Sequence, residues 1–309
     1  MSEITETVAL SLKSTTSKWK AFVSMLKLET PFIIGVPAIV WQLLFFYIPI
    51  FFMITTSFFT YTDTGALSFS IEHFTHIWKT SYLSTIGSSL IFSLSTATLC
   101  FAIGFPLAHF IAFRGGKYKT IFLFLLIVPF WTNFLLHIYA WFFVLEKEGF
   151  LNTILLNLGV IDNPLRILNT HVATMIMMVY YYLPFMTLPI YSSLDKFDHS
   201  LIEASHDLGA GKFQTFRRIL LPISMNSIRA GFFLVFIPAF GEFVIPELMG
   251  GDKDFYVGNV IAQFILGDET GQLGTAYTVL SISVLLLTIS VAYLGFNKFA
   301  KVLTGRTSQ

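Results

Sequence analysis

An all-α integral membrane protein with six transmembrane helices is what this sequence predicts, on three observations. Hydrophobic residues make up 55% of the 309 and charged residues only 12%, where a water-soluble domain carries about 25% charged residues. The apolar residues come in continuous runs, not in alternation, which favours helices over barrel strands. Six windows, 32–58, 84–112, 120–145, 171–193, 228–249 and 273–297, reach the ~20 residues that a helix needs to cross the hydrocarbon core.

Residues 1–30 are expected to form a cytoplasmic tail. Trp19, Phe22, Val23 and Leu26 repeat there at helical spacing, with Lys20 and Lys27 off the stripe. That pattern suits a helix lying along a membrane surface. The uncharged stretch from Thr30 to Thr62 exceeds the roughly 7–15 apolar residues of a cleavable signal, so it reads as a retained first span. Residues 31–300 make the membrane domain and 301–309 a second cytoplasmic tail. Cys100 is the one cysteine and sits in an apolar run. It reads as a small buried residue, with no partner for a disulfide or a metal pair in the chain.

Lysine and arginine orient the spans. Fifteen of the nineteen fall in the N-terminal tail, the second and fourth connections and the C-terminal tail. Lys79, Lys147, Arg166 and Lys253 fall on the opposite side. Positive charge marks the cytoplasm, so both termini and the polar connection 195–222 are expected inside the cell.

That connection is the most polar segment between spans. Ser200 and Glu203 have capping-box spacing, which predicts a two-turn helix from Leu201. Gly209 stands where a left-handed stop is expected, since glycine takes positive φ at little cost. A second helix is expected from Lys212 to Leu221, with Pro222 at the return to the bilayer. Together they form a rigid knob.

Ionisable groups within spans are costly and therefore candidates for function. His109, near the inner end of the second span, reads as structural. His137 follows Pro129-Phe130-Trp131-Thr132-Asn133, a patch that interrupts the third span near mid-depth. Trp131, Asn133 and His137 are candidate cavity residues, with helix packing as the ordinary alternative. Pro238, Gly241 and Pro246 are expected to break the fifth span beside Glu242 and Glu247. Non-helical backbone at that depth survives only where protein or water covers it. A carboxylate there takes a cation or pairs with another helix, and Glu247 has the further option of reaching the outer interface. Tyr180, Tyr181 and Tyr182 are contiguous, and at about 100° per residue at least one faces inward. Tyr181 is the candidate. Aromatic faces attract organic ammonium groups.

Glu203, Ala204, Gly209, Ile219, Leu221 and Pro222 match the pattern E-A-A-x3-G-x9-I-x-L-P, with Ser205 in place of the third-position alanine. The segment resembles the EAA loop of ABC importer permeases. The resemblance implies a type I ABC importer permease fold with cytoplasmic EAA coupling helices. It implies an ATPase-docking surface made by Glu203, Ala204, Ser205, Asp207, Gly209, Arg217 and Arg218, with the small residues 204 and 205 allowing close approach. The segments 126–133, 159–162, 183–186 and 240–251 resemble spermidine/putrescine permeases, most of all the putrescine-type subunit, over roughly 33–300. One departure is His137, where that family commonly carries arginine.

The resemblance implies a non-enzymatic subunit of the bacterial inner membrane that passes polyamines from periplasm to cytoplasm. The partners it implies are an ATPase dimer that binds the ATP and Mg, a second permease subunit in a heterodimer, a periplasmic binding protein and membrane lipid, with no nucleic acid. This chain has no G-x4-G-K-[ST] loop, so energy must come from those partners, and it is expected to bind no cofactor itself. Permeases for opines, phosphonates or iron share the architecture. An ion-coupled transporter using Glu242 or His137 as a proton site is the other reading, but the halves show no repeat. Neither HExxH nor GxSxG occurs to support a membrane enzyme.

Overall fold

The first helix widens because of a proline. Pro49 has no N–H for the carbonyl four residues back, and its ring presses on that carbonyl. The chain takes a π turn over Leu43–Tyr47, and the Ile48 N–H reaches the Leu43 carbonyl instead. This helix, α1 (Gly35–Ser57), belongs to the first of two compact units, Met1–Phe69. A short hairpin follows, β1 (Phe59–Tyr61) antiparallel to β2 (Leu67–Phe69), with Phe59 opposite Phe69. It is the one departure from all-α among the described residues. The computed structural model describes residues 35–61, 67–79, 82–198, 200–251, 256–267 and 271–304. The surface helix expected within 1–30 lies outside them.

The second unit, Ser70–Gln309, starts with α2 (Glu72–Lys79) and α3 (Tyr82–Arg114). Next come α4 (Lys119–Ile127), α5 (Phe134–Leu145), α6 (Phe150–Asn157) and α7 (His171–Asp195). After α8 (Ser200–Asp207) comes the long α9 (Lys212–Phe240), then α10 (Val244–Met249), α11 (Val257–Leu266) and α12 (Gly271–Thr304).

Helices α3, α7 and α9 pack together as the core. Met177, Met178, Met186 and Ile190 of α7 are buried against Ala97, Cys100 and Ala108 of α3 and Val235, Phe236 and Ala239 of α9. Cys100 is a buried core residue, as expected. Glycine permits the close approach. A Cβ on Gly104 would stand 2.9 Å from the Thr187 hydroxyl, and one on Gly231 3.2 Å from the Met186 Cα. Both flanking helices thus close on the same turn of α7. A second cluster, including Ile77, Ile86, Val257, Phe264 and Tyr277, gathers around Phe240 at the end of α9. Helix α12 leaves Leu286, Leu287, Val291 and Leu294 exposed, as a lipid-facing surface requires.

Two spans are broken where the sequence predicts interruptions. The third window, 120–145, is not one straight helix. Its arms, Gly116–Trp131 and Phe134–Asn157, meet at 102°, and counting them as one span makes six. The helix tightens to 3-10 form at Val128–Trp131, around Pro129, and Thr132 and Asn133 are extended. The fifth window, 228–249, breaks at Gly241, one of the three expected positions, and not at Pro238 or Pro246. Helix α9 runs through Pro238 and ends at Phe240, and the break is Gly241–Phe243. Pro246 lies in the first turn of α10, where an amide has no intrahelical partner to lose. The second knob helix is likewise not separate from the span. Around Pro222 the chain widens into a π turn over Phe216–Leu220, and the Leu221 N–H reaches the Phe216 carbonyl. The solution is the one used at Pro49.

Arg229, expected at the start of the fifth span, lies within α9. Its Nη1 donates to Asn297 Oδ1 at 2.7 Å, and its guanidinium stands 4.7 Å from the Tyr293 ring centre. These contacts tie α9 to α12. Arg229→Leu is expected to lower the melting temperature of the purified protein by several degrees. A charge-assisted hydrogen bond contributes about 1.5–3 kcal/mol. Arg229→Lys should fall between the two, because an ammonium lacks the planar fork. An unshifted melting curve for Arg229→Leu would rule out the tie.

Candidate functional site

The polar knob is built from caps and one internal clamp. Asp198 Oδ1 accepts from the Ser200 N–H at 3.0 Å, and the Asp198 carbonyl accepts from the Leu201 N–H. The capping box expected from Ser200 and Glu203 is therefore not formed. Ser200 is already helical, the capping acceptor lies upstream, and Glu203 is exposed. The other end matches expectation. Gly209 takes φ 78°, its N–H donates to the His206 carbonyl, and the Ala210 N–H donates to the Ser205 carbonyl.

Ser205 points into the knob. It is 6% exposed, and its Oγ lies 2.7 Å from Thr215 Oγ1. The serine turns inward and clamps α8 to α9. Ala204, Asp207, Gly209, Arg217 and Arg218 are exposed with Glu203. Sequence reasoning missed two apolar neighbours, Leu208 and Phe213, which are 88% and 74% exposed. The available signal was two bulky apolar residues flanking a glycine stop in a polar segment. Large apolar side chains left in water beside a rigid turn mark an interaction surface.

The second locus forms where the spans break. Glu242 Oε1 accepts from the Val244 and Ile245 amides at 3.0 and 3.4 Å. Its Oε2 accepts from the Tyr182 hydroxyl at 3.1 Å. The carboxylate thus sits at the positive end of a short helix and on a buried phenol. Tyr181, 5.3 Å from Tyr182, packs on Phe134 at 4.8 Å and on Phe130 at 5.3 Å between ring centres. Side chains from both arms of the bent span, from α7 and from the break after α9 therefore form one aromatic and acidic cluster.

His137 seals the bend beside it. Its Nε2 lies against the Pro129 carbonyl at 2.8 Å and against Thr132 Oγ1, and its Nδ1 lies 2.9 Å from the Tyr180 hydroxyl. A carbonyl only accepts, so the Nε2 hydrogen points at Pro129, and Nδ1 faces Tyr180. His137, Tyr180, Tyr181 and Phe130 line a cavity of about 110 Å³.

The other candidates lie outside this cluster. Trp131 is 74% exposed, edge-on to Phe124. The Asn133 side chain caps α5 by accepting from the Leu135 N–H at 2.8 Å. Glu247 is exposed and accepts from Asn259 Nδ2 of α11 at 2.6 Å. Tyr182, at 4% exposure, is the cluster residue that sequence reasoning missed. Met178, Tyr182, Met186 and Ile190 repeat every fourth residue and are all buried, a stripe that puts Tyr182 on the core face. Among the described residues, no three His, Cys, Asp or Glu side chains are placed to hold a metal ion.

A bundle of spans interrupted around acidic and aromatic groups, with a rigid polar knob beyond its apolar length, defines a multi-pass membrane transport protein. Residues 101–298 match the binding-protein-dependent transport system inner membrane components, and the chain belongs to that family. It is 42% identical over 241 residues to the spermidine/putrescine transport system permease protein PotB of Escherichia coli, covering 77% of this chain and 88% of that protein. The PotB of Haemophilus influenzae is 38% identical over 260 residues, covering 84% and 91%. A chain from a bacterial ABC transporter involved in the import of the acidic polysaccharide alginate has the same fold. Its TM-score is 0.69 at 17% identity, covering 90% of this chain and 98% of that one.

Proposed function

We propose that this chain is the permease subunit of an ATP-driven importer and that it carries putrescine or spermidine from periplasm to cytoplasm. The observation that carries the substrate class is the Glu242 carboxylate on Tyr182, beside the Tyr181 ring that packs on Phe130 and Phe134, in a chain so similar to PotB. A polyamine is a row of ammonium groups joined by methylenes. The carboxylate attracts the ammonium, and the rings take both the methylenes and the cation on their faces. His137, Trp131, Asn133 and Glu247 belong to the walls of the same path.

The knob is the seat for a partner ATPase that binds ATP and Mg. Glu203, Ala204, Asp207 and Gly209 form its face with Leu208 and Phe213, and Arg217 and Arg218 flank it. ATP closure of the ATPase dimer biases the permease between inward-open and outward-open states through its different contacts with each. A second permease subunit completes the path as a heterodimer, and a binding protein delivers cargo at the outer face. In this reading both termini, residues 1–30 and 301–309, lie in the cytoplasm, on either side of a membrane domain at 31–300.

Glu242→Gln tests the substrate site. Glutamine keeps an oxygen for the Val244 amide but loses the charge, and its NH2 group no longer accepts from the Tyr182 hydroxyl. Putrescine uptake by cells carrying all partner proteins is expected to fall about tenfold at equal membrane level, the equivalent of ~1.4 kcal/mol. Uptake at the unmodified rate would reduce Glu242 to a cap for α10.

A further inference from the structure

Beneath the knob, α3, α8 and α9 leave a groove that the transport path does not use. Its polar end, a cavity of about 360 Å³, is lined by His109, Arg114, Glu203, His206 and Lys212. Its apolar end, about 400 Å³, is lined by Phe101, Ala102, Phe105, Pro106, Phe216 and Leu220. Both ends are bounded by His109, Lys212 and Leu220, so the groove is continuous. A helix rises 1.5 Å per residue, which puts Phe101 about 20 Å along α3 from Arg114. With α3 taken as a span, Arg114, which ends its apolar length, stands at the depth of lipid headgroups. That rise exceeds the ~15 Å of a half-bilayer of hydrocarbon, which on the same reading takes Phe101 down among the acyl chains near the midplane.

The polar end is unbalanced toward positive charge. Arg114 and Lys212 carry fixed charges, His109 and His206 offer ring N–H groups, and Glu203 is the one carboxylate. The side chains of Arg114, Glu203, His206 and Lys212 make no hydrogen bond or ion pair among the described residues.

We infer that this groove binds a phospholipid with an anionic headgroup. The phosphate sits at Arg114 and Lys212, and one acyl chain lies along Phe101, Phe105 and Leu220. A free anion would use only the polar end and leave the apolar end empty. A soluble protein segment would not reach Phe101 through the headgroup layer. An amphiphile matches both halves, and the charge of the rim selects an anionic one.

The test is lipid retention by the full-length chain, purified in detergent and weighed intact by native mass spectrometry. The chain is titrated with phosphatidylglycerol, phosphatidylcholine or inorganic phosphate. One phosphatidylglycerol is expected to be retained, about fivefold in preference to phosphatidylcholine, and Lys212→Gln should erase that preference. Lys212 is exposed, so its replacement leaves the fold intact, which a melting curve checks. Ala102→Trp fills the apolar end with the charges in place and should also release the lipid; if it does not fold, Lys212→Gln decides alone. Equal retention of the two lipids, indifference to Lys212→Gln, or complete displacement by inorganic phosphate would overturn the proposal. The measurement reads binding and not uptake, so its failure leaves the polyamine assignment untouched.

Discussion

Gly209→Pro is expected to abolish uptake while the protein still inserts. Gly209 takes φ 78°, and proline is held near −65°. The turn closed by the Gly209 and Ala210 amides then opens, and α8 loses its angle to α9. The α3–α7–α9 core lies elsewhere and is untouched, so the amount of protein in the membrane should stay near normal. Two measurements check this together: solute uptake by cells, and ATP hydrolysis by the reconstituted importer with its binding protein. Loss of uptake with hydrolysis no longer responsive to the binding protein is the expected pair. Normal uptake would remove the knob from energy coupling altogether.

The second large effect is at Gly231. A Cβ there meets the Met186 Cα and carbonyl oxygen, both at 3.2 Å, as well as the Met186 sulfur at 3.0 Å. The sulfur can swing away, but the backbone cannot. Gly231→Leu therefore wedges α9 from α7, and overpacking of this kind typically costs about 1–3 kcal/mol. Folded protein recovered from membranes, read by size-exclusion of a fluorescent fusion, is expected to drop severalfold. Adding Met186→Ala should not restore it, because the obstructing atoms belong to the main chain. Full recovery in the double variant would mean that the helices are further apart than they stand here.

The placement of the spans was legible in the sequence because lipid leaves few alternatives. The windows 84–112, 171–193 and 273–297 lie inside α3, α7 and α12. Gly209 was legible for a similar reason, since few residues tolerate its φ. Proline was not a reliable guide to helix ends. Pro129 marks a sharp bend, yet Pro222 and Pro238 lie within one helix. Each removes the same amide. What differs is how the neighbouring turns adjust, and at Pro222 a π turn carries the helix through. The cap was misread because Asp198 and Ser200 are both good acceptors, and only the register of the helix decides between them. Tyr181 was chosen over Tyr182 because a tyrosine triplet has no phase of its own. The phase comes from Met178, Met186 and Ile190, which bury one face of α7. The partner of Glu242 follows from that rotation.

Helix α9 joins the two loci, and this has a mechanical consequence. From Lys212 to Phe240 it is a single stretch of 29 residues, a rod roughly 40 Å long at 1.5 Å per residue. One end is bolted to the knob through Ser205 and Thr215. The other stops two residues short of Glu242. A push that tilts the knob is expected to displace the carboxylate as well, less whatever the π turn at Phe216–Leu220 absorbs.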